Sequence, residues 1–183
     1  MSLLQELKDI IKKQRKYASW FEWPDKQIKE KGIIGKLFAS MEQSGGCPYY
    51  NLRCSKKDPP DCIAEDEGGN LVGIEVTELV YEPAVRLNEK GEKVYALWNK
   101  EEVLSGLRQK LLEKDKKSFH GGPFAKLILV IHTAEPEIIS EDYFTSLKDH
   151  VFPQTSQITE SYFLYPYNPN IKRYPFAKLS IKS

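Results

Sequence analysis

The run Leu127-Ile128-Leu129-Val130-Ile131 is continuously apolar and rich in β-branched residues. A strand with one solvated face alternates polar and apolar residues. A strand without alternation needs cover on both faces, which helices on either side of a sheet supply. The run therefore predicts a central strand in a single mixed α/β domain. A length of 183 residues suits one domain with a substantial core and is short for two.

The other elements order themselves around that strand. Leu3, Leu4, Leu7, Ile10 and Ile11 recur at helical spacing, so residues 2–18 read as an amphipathic helix. Trp20, Phe21 and Trp23 lead to a break at Pro24. A second stripe, from Ile28 through Ile33, Ile34, Leu37 and Phe38 to Met41, ends at Gly45-Gly46. Residues 47–53 read as a first strand, and 61–66 with 70–79 as a hairpin around Gly68-Gly69. Glu82 to Lys93 is charged and reads as a loop. Leu97, Val103, Leu104, Leu107, Leu111 and Leu112 predict a long helix over about 95–117, stopped by His120-Gly121-Gly122-Pro123. Ser140 is placed to cap a helix reaching His150. Residues 158–165 form a further strand, and Pro166, Pro169 and Pro175 make 166–183 an irregular tail. The domain divides into a helical extension (1–26), a core (27–165) and that tail.

Charge and cysteine usage narrow the function classes. Net charge is +1, from 27 basic and 26 acidic residues, which argues against coating nucleic acid by bulk electrostatics. No stretch approaches the roughly 20 apolar residues that cross a bilayer. The N-terminal pattern lacks the apolar block of a signal peptide, so a cytoplasmic address with no membrane contact is expected. Cys47, Cys54 and Cys62, separated by six and seven residues, match neither a disulfide framework nor a zinc knuckle.

The hairpin carries the chemistry. Along a strand Glu75 and Thr77 share one face, and Ile74 and Val76 the other. A two- or four-residue loop would put Asp61 opposite Val76. A three-residue loop, Glu67-Gly68-Gly69, puts it opposite Glu75, with Gly69 supplying the left-handed position. That register also gathers Cys62, Ala64, Val72, Ile74 and Val76 on one face, and a slip by one residue would bury the wrong set. Two carboxylates held close repel when ionised, and relief comes from protonation, a basic partner or a divalent cation. Hard oxygen ligands with open positions suit Mg²⁺ or Mn²⁺.

Pro60-Asp61 followed by Glu75-Val76-Thr77 resembles the motif of the PD-(D/E)XK nuclease superfamily, except that Thr77 stands at the lysine position. The stretch is similar to uncharacterised bacterial nuclease-like proteins of that superfamily. The resemblance implies a restriction-endonuclease-like αβββαβ core over about residues 27–165. It implies a metal-dependent phosphodiesterase acting on nucleic acid, DNA before RNA, and a possible homodimer. Asp61, Glu75 and the Val76 carbonyl would hold Mg²⁺ or Mn²⁺, and Thr77 would position a water. Some members carry the basic residue on the following helix. Lys110, Lys114 and Lys117 share one helical face there. Lys114 is the preferred substitute, Lys117 a phosphate contact and Lys110 the rival; all three could also be plain surface lysines. A fold that keeps the acidic pair but has lost catalysis, binding nucleic acid or a protein, is the alternative.

Weaker candidates carry a structural explanation each. Glu42, near the end of the second helix, could add a carboxylate but reads as a solvent-facing helix end. Glu78 points away from Glu75. His132 and Thr133 close the buried strand, where a histidine could touch a site, and a hydrogen-bonded structural role is the default reading; His120 and His150 show no metal or dyad spacing. Tyr162, Phe163, Tyr165, Tyr167 and Tyr174, interleaved with Lys172 and Arg173, could stack on bases, and core packing is their default role.

Overall fold

A computed structural model of the chain describes Ala18 and residues 25–182. The helix expected over residues 2–18 and the Trp20–Pro24 break lie outside the described residues, Ala18 apart. The elements run α1 (Lys26–Glu42), β1 (Tyr49–Cys54), β2 (Cys62–Asp66), β3 (Leu71–Glu78), α2 (Glu82–Glu89), α3 (Lys100–Asp115), β4 (Lys126–His132), α4 (Ser140–Asp149), β5 (Val151–Phe152), β6 (Glu160–Leu164) and β7 (Phe176–Ile181). One mixed sheet orders the strands β1-β2-β3-β4-β6-β7-β5.

The apolar run occupies the place its composition demands. β4 pairs in parallel with β3 on one side and β6 on the other. Ile128 and Val130 pack under α1 with Ile33, Ile34 and Leu37. Leu129 and Ile131 pack on the opposite face against Val103, Leu107 and Leu111 of α3, together with Leu147 of α4. Each such buried side chain contributes about 1.5–3 kcal/mol relative to exposure, so the two faces together lock the helices onto the sheet. No helix among the described residues is long and apolar enough to cross a membrane.

The hairpin takes the three-residue loop. Cys62 lies opposite Ile74, Ala64 opposite Val72 and Glu65 opposite Leu71. Asp66 N–H donates to the Asn70 carbonyl at 3.0 Å, and Gly69 has φ +75°, the left-handed position this turn needs. Cys62, Ala64, Val72 and Ile74 are all fully buried on the α1 side. The apolar alternation therefore set the register.

Four expectations are corrected. Glu82–Glu89 is helix, not loop: Pro83 sits in its first turn, where a missing N–H costs nothing, and only Ala84 and Val85 are buried. That stripe is too short to register as periodic. α3 begins at Lys100 rather than near Tyr95, because Asn99 and Glu102 form a reciprocal capping box there. Leu97 is 85% exposed and outside the helix. Ser140 is the first residue of α4; the cap position is Ile139. The tail beyond Pro175 is strand β7, which pairs antiparallel with β6. Its proline precedes the strand and so removes no ladder donor.

Candidate metal centre

Asp61 ends the Asp58-Pro59-Pro60 loop and, one step before the Cys62–Ile74 pair, faces Glu75 across the hairpin. β2 has run out at this level, which leaves the Val76 N–H without a strand partner on that side. The Asp61 carboxylate takes it, Oδ2 accepting from Val76 N at 2.7 Å. This bond anchors Asp61, only 6% exposed, just before the start of β2. Asp58, Asp61 and Glu75 each present an oxygen within 4.8 Å of the others.

Glu75 is 1% exposed and its two oxygens differ. Oε1 accepts from Lys114 Nζ at 2.6 Å and from Lys117 Nζ at 2.8 Å. Oε2 is buried with no hydrogen-bond partner. A buried carboxylate oxygen left bare is costly unless a cation or donor reaches it. Lys114 Nζ also donates to the Val76 carbonyl at 3.3 Å, so that carbonyl looks into the same space.

Two further side chains come from α1. Lys26 Nζ lies 3.0 Å from Asp58 Oδ2, 3.7 Å from Asp61 Oδ1 and 3.4 Å from Glu30 Oε1. Glu30 sits on the face of α1 that carries Ile33, Ile34 and Leu37, and is itself buried. Asp25 caps α1, accepting from Gln27 N and Ile28 N, and so fixes where the first turn begins. Glu30, Asp58, Asp61 and Glu75 thus meet Lys26, Lys114 and Lys117, four carboxyls against three ammoniums.

The titration behaviour follows from this crowding. Burial, then the charge of Asp61, pushes the Glu30 carboxyl up to about 7. Burial and the neighbouring Glu75 push Asp61 up as well. Asp58 is held below its ordinary value by its hydrogen bond from Lys26. The same bond raises Lys26. Burial works against the charge on Lys117, but the bond to Glu75 outweighs it and the ammonium is held more tightly than usual. Carboxyls pushed up by burial and by one another bind a hard cation in place of their protons, because ligation needs the deprotonated form.

Asp61, Glu75, Lys114, Lys117 and the Val76 carbonyl are brought together, whereas Lys110 is not. Lys110 lies one turn earlier on α3, half-buried, and joins no ion pair of this cluster. Thr77 is half-buried on the Glu75 face, and no bond links it to the carboxylates. Glu42 is turned elsewhere: its Oε2 accepts from Cys47 N at 2.9 Å and closes the glycine turn after α1. Tyr162, Phe163 and Tyr165 are core residues, and the Tyr167 and Tyr174 rings pack on each other with centroids 5.2 Å apart. Thr133 Oγ1 donates to the Leu79 carbonyl, and His150 packs edge-on to Phe152; both are structural. Cys47, Cys54 and Cys62 are free thiols.

Sequence reasoning missed Lys26, Glu30 and Asp58. A signal existed for Glu30: it stands three and four residues before Ile33 and Ile34, an acid inside an apolar helical stripe. Lys26, four residues earlier, is its helical neighbour. Comparison with family models, with curated proteins and with solved structures finds no match.

Proposed function

We propose that the chain is a divalent-metal-dependent nuclease hydrolysing phosphodiester bonds, DNA in preference to RNA. One observation carries this: Glu75 offers a bare buried oxygen beside Asp61 and Asp58 while two lysines hold its other oxygen. The element order supports it. α1, the β1-β2-β3 meander, α3 and β4 follow the αβββαβ sequence of the PD-(D/E)XK core, with α2 inserted.

In this proposal Asp61, Glu75 and Asp58, with the Val76 carbonyl, hold Mg²⁺ or Mn²⁺. When bound, such an ion supplies Lewis acidity toward a phosphate oxygen and acidifies water. The chain's own residues do the rest. Lys114, fixed between Glu75 and the Val76 carbonyl, supplies the positive charge that Thr77 lacks. Lys117, more exposed, contacts the phosphate. The Thr77 hydroxyl, on the same strand face, orients a water.

The purified chain is expected to cleave DNA with Mg²⁺ or Mn²⁺, and Asp61→Asn or Glu75→Gln to abolish cleavage. Cleavage by Glu75→Ala at the parent rate would refute the assignment. A second reading has its own support: Lys26 on Asp58, and Lys114 and Lys117 on Glu75, already neutralise much of the centre. A non-catalytic module binding nucleic acid or a protein would show no metal-dependent cleavage, and binding indifferent to Asp61→Asn.

A further inference from the structure

Asp61 and Ile63 lie on the same strand face, two residues and roughly 6.7 Å apart. Among the described residues no helix covers that face of the β1-β2 hairpin, and the apolar stripe of α3 packs instead toward Leu79, Leu129 and Ile131. What stands over it instead is the segment after α3, tied down by His120 N–H donating to the Pro59 carbonyl at 2.8 Å. Between them is a cavity of about 220 Å³. Ile63 and Phe124 are among its walls, and Arg53, Lys56, Lys57 and His120 among its polar lining. Among the described residues no acidic side chain lines it.

Phe124 reaches this position because two neighbours lack a side chain. A Cβ on Gly73 would meet the Phe124 ring at 3.3 Å and Leu127 at 2.7 Å. One on Gly122 would meet the same ring at 3.1 Å. Arg53 is paired with Glu65 at 3.0 Å. Lys56 and Lys57 are exposed and form no ion pair among the described residues. Lys57 directly precedes Asp58, so the cationic rim runs straight into the metal centre.

We infer that this cavity receives one unpaired base of a nucleic-acid strand, and that the preferred substrate is single-stranded. The inference rests on the nucleic-acid reading of the metal centre. A space of this size falls below the roughly 300–1,000 Å³ of drug-sized sites and admits one flat ring, not a base pair. An aromatic and an aliphatic wall suit the face of a base, and the two free lysines suit flanking phosphates. A base held in a duplex must leave its stack to enter, which costs energy that a single strand does not spend.

The test is binding of the full chain, in metal-free buffer so that nothing is cut, to fluorescent oligothymidylate and to its duplex with oligodeoxyadenylate. The single strand is expected to bind more tightly. Phe124→Ala is expected to weaken it about tenfold, and replacing thymines by abasic sites to have a similar effect. Lys56→Ala/Lys57→Ala, at exposed positions that spare the fold, should reduce the slope of log K against log salt by about 1.4, at 0.7 per phosphate. Equal affinity for duplex and single strand, or full affinity for the abasic strand, would overturn the inference. Single-strand preference in a chain that never cleaves with Mg²⁺ supports the cavity while refuting the hydrolytic function.

Discussion

Asp115 closes the end of α3, directly after Lys114 and two residues before Lys117, and its removal is the sharpest test of how the centre is held. Its carboxylate accepts four hydrogen bonds: Ser156 N at 2.7 Å and Ser156 Oγ at 2.8 Å on Oδ2, Gln157 N at 2.8 Å and Ile158 N at 2.9 Å on Oδ1. Gln157 Nε2 completes the clasp by donating to the carbonyls of Asp115 and Lys117. In Asp115→Ala the Ser156 and Gln157 donors, only partly buried, can turn to water. The Ile158 N–H is buried and cannot. One stranded donor costs about 1–3 kcal/mol, and the lost charge-assisted bonds raise the total to about 3–4 kcal/mol. For a chain of this length that lowers the melting temperature by roughly 10 °C. Asp115→Asn keeps one oxygen for Gln157 and Ile158 but turns an amide toward the Ser156 N–H, and should lose about half as much.

Acid should reproduce the same loss. Burial alone would raise the Asp115 carboxyl, but the donors from Ser156, Ile158 and Gln157 outweigh it and hold the group below its ordinary value. A depressed folded-state value means stability that is present above the unfolded value and lost as pH falls through the folded one. The assay is equilibrium urea unfolding of parent, Asn and Ala forms at neutral and acid pH. An Ala variant within about 1 kcal/mol of the parent would refute the clasp, because exposed substitutions already fall in that range.

Two further outcomes follow from the centre and from a separate ion cluster. Lys114→Met is expected to lower kcat by about 10²–10³ in a metal-dependent cleavage assay, the range for losing one preorganised donor, while Lys110→Met leaves it unchanged; the reverse pattern would reassign the cation. Glu160 accepts from Lys126 and Lys178 at 2.8 Å and from Tyr162. Burial opposes its charge, but those donors bring it down from 4.5 to about 2. That gap is stability fully present above the unfolded value and lost as pH falls through the folded one. Glu160→Gln should flatten the stability profile over that acid range, and an unchanged slope would show that other carboxylates dominate.

The sequence by itself determined the features that rest on local periodicity. The unbroken apolar run could only be a strand covered on both faces, and β4 is that strand. The period-2 pattern of Cys62, Ala64, Val72 and Ile74 chose the hairpin register, because any slip would expose the apolar face, and with it came the meeting of Asp61 and Glu75. Spacing also put Lys110 and Lys114 on one face of α3, whereas Lys117, expected on the same helical face, lies in the turn after the helix ends at Asp115. Tertiary structure decided which of the three reaches Glu75, since that depends on where α3 crosses β3, and Gly106 sets this by letting Leu79 lie against the helix. It decided too that Lys26 and Glu30 join the centre, through the seating of α1 under the sheet, and that residues 176–181 pair as a strand. Patterns of burial repeat along the chain and are legible there. Contacts between residues thirty or more positions apart depend on how packed surfaces meet, and no local pattern encodes that angle.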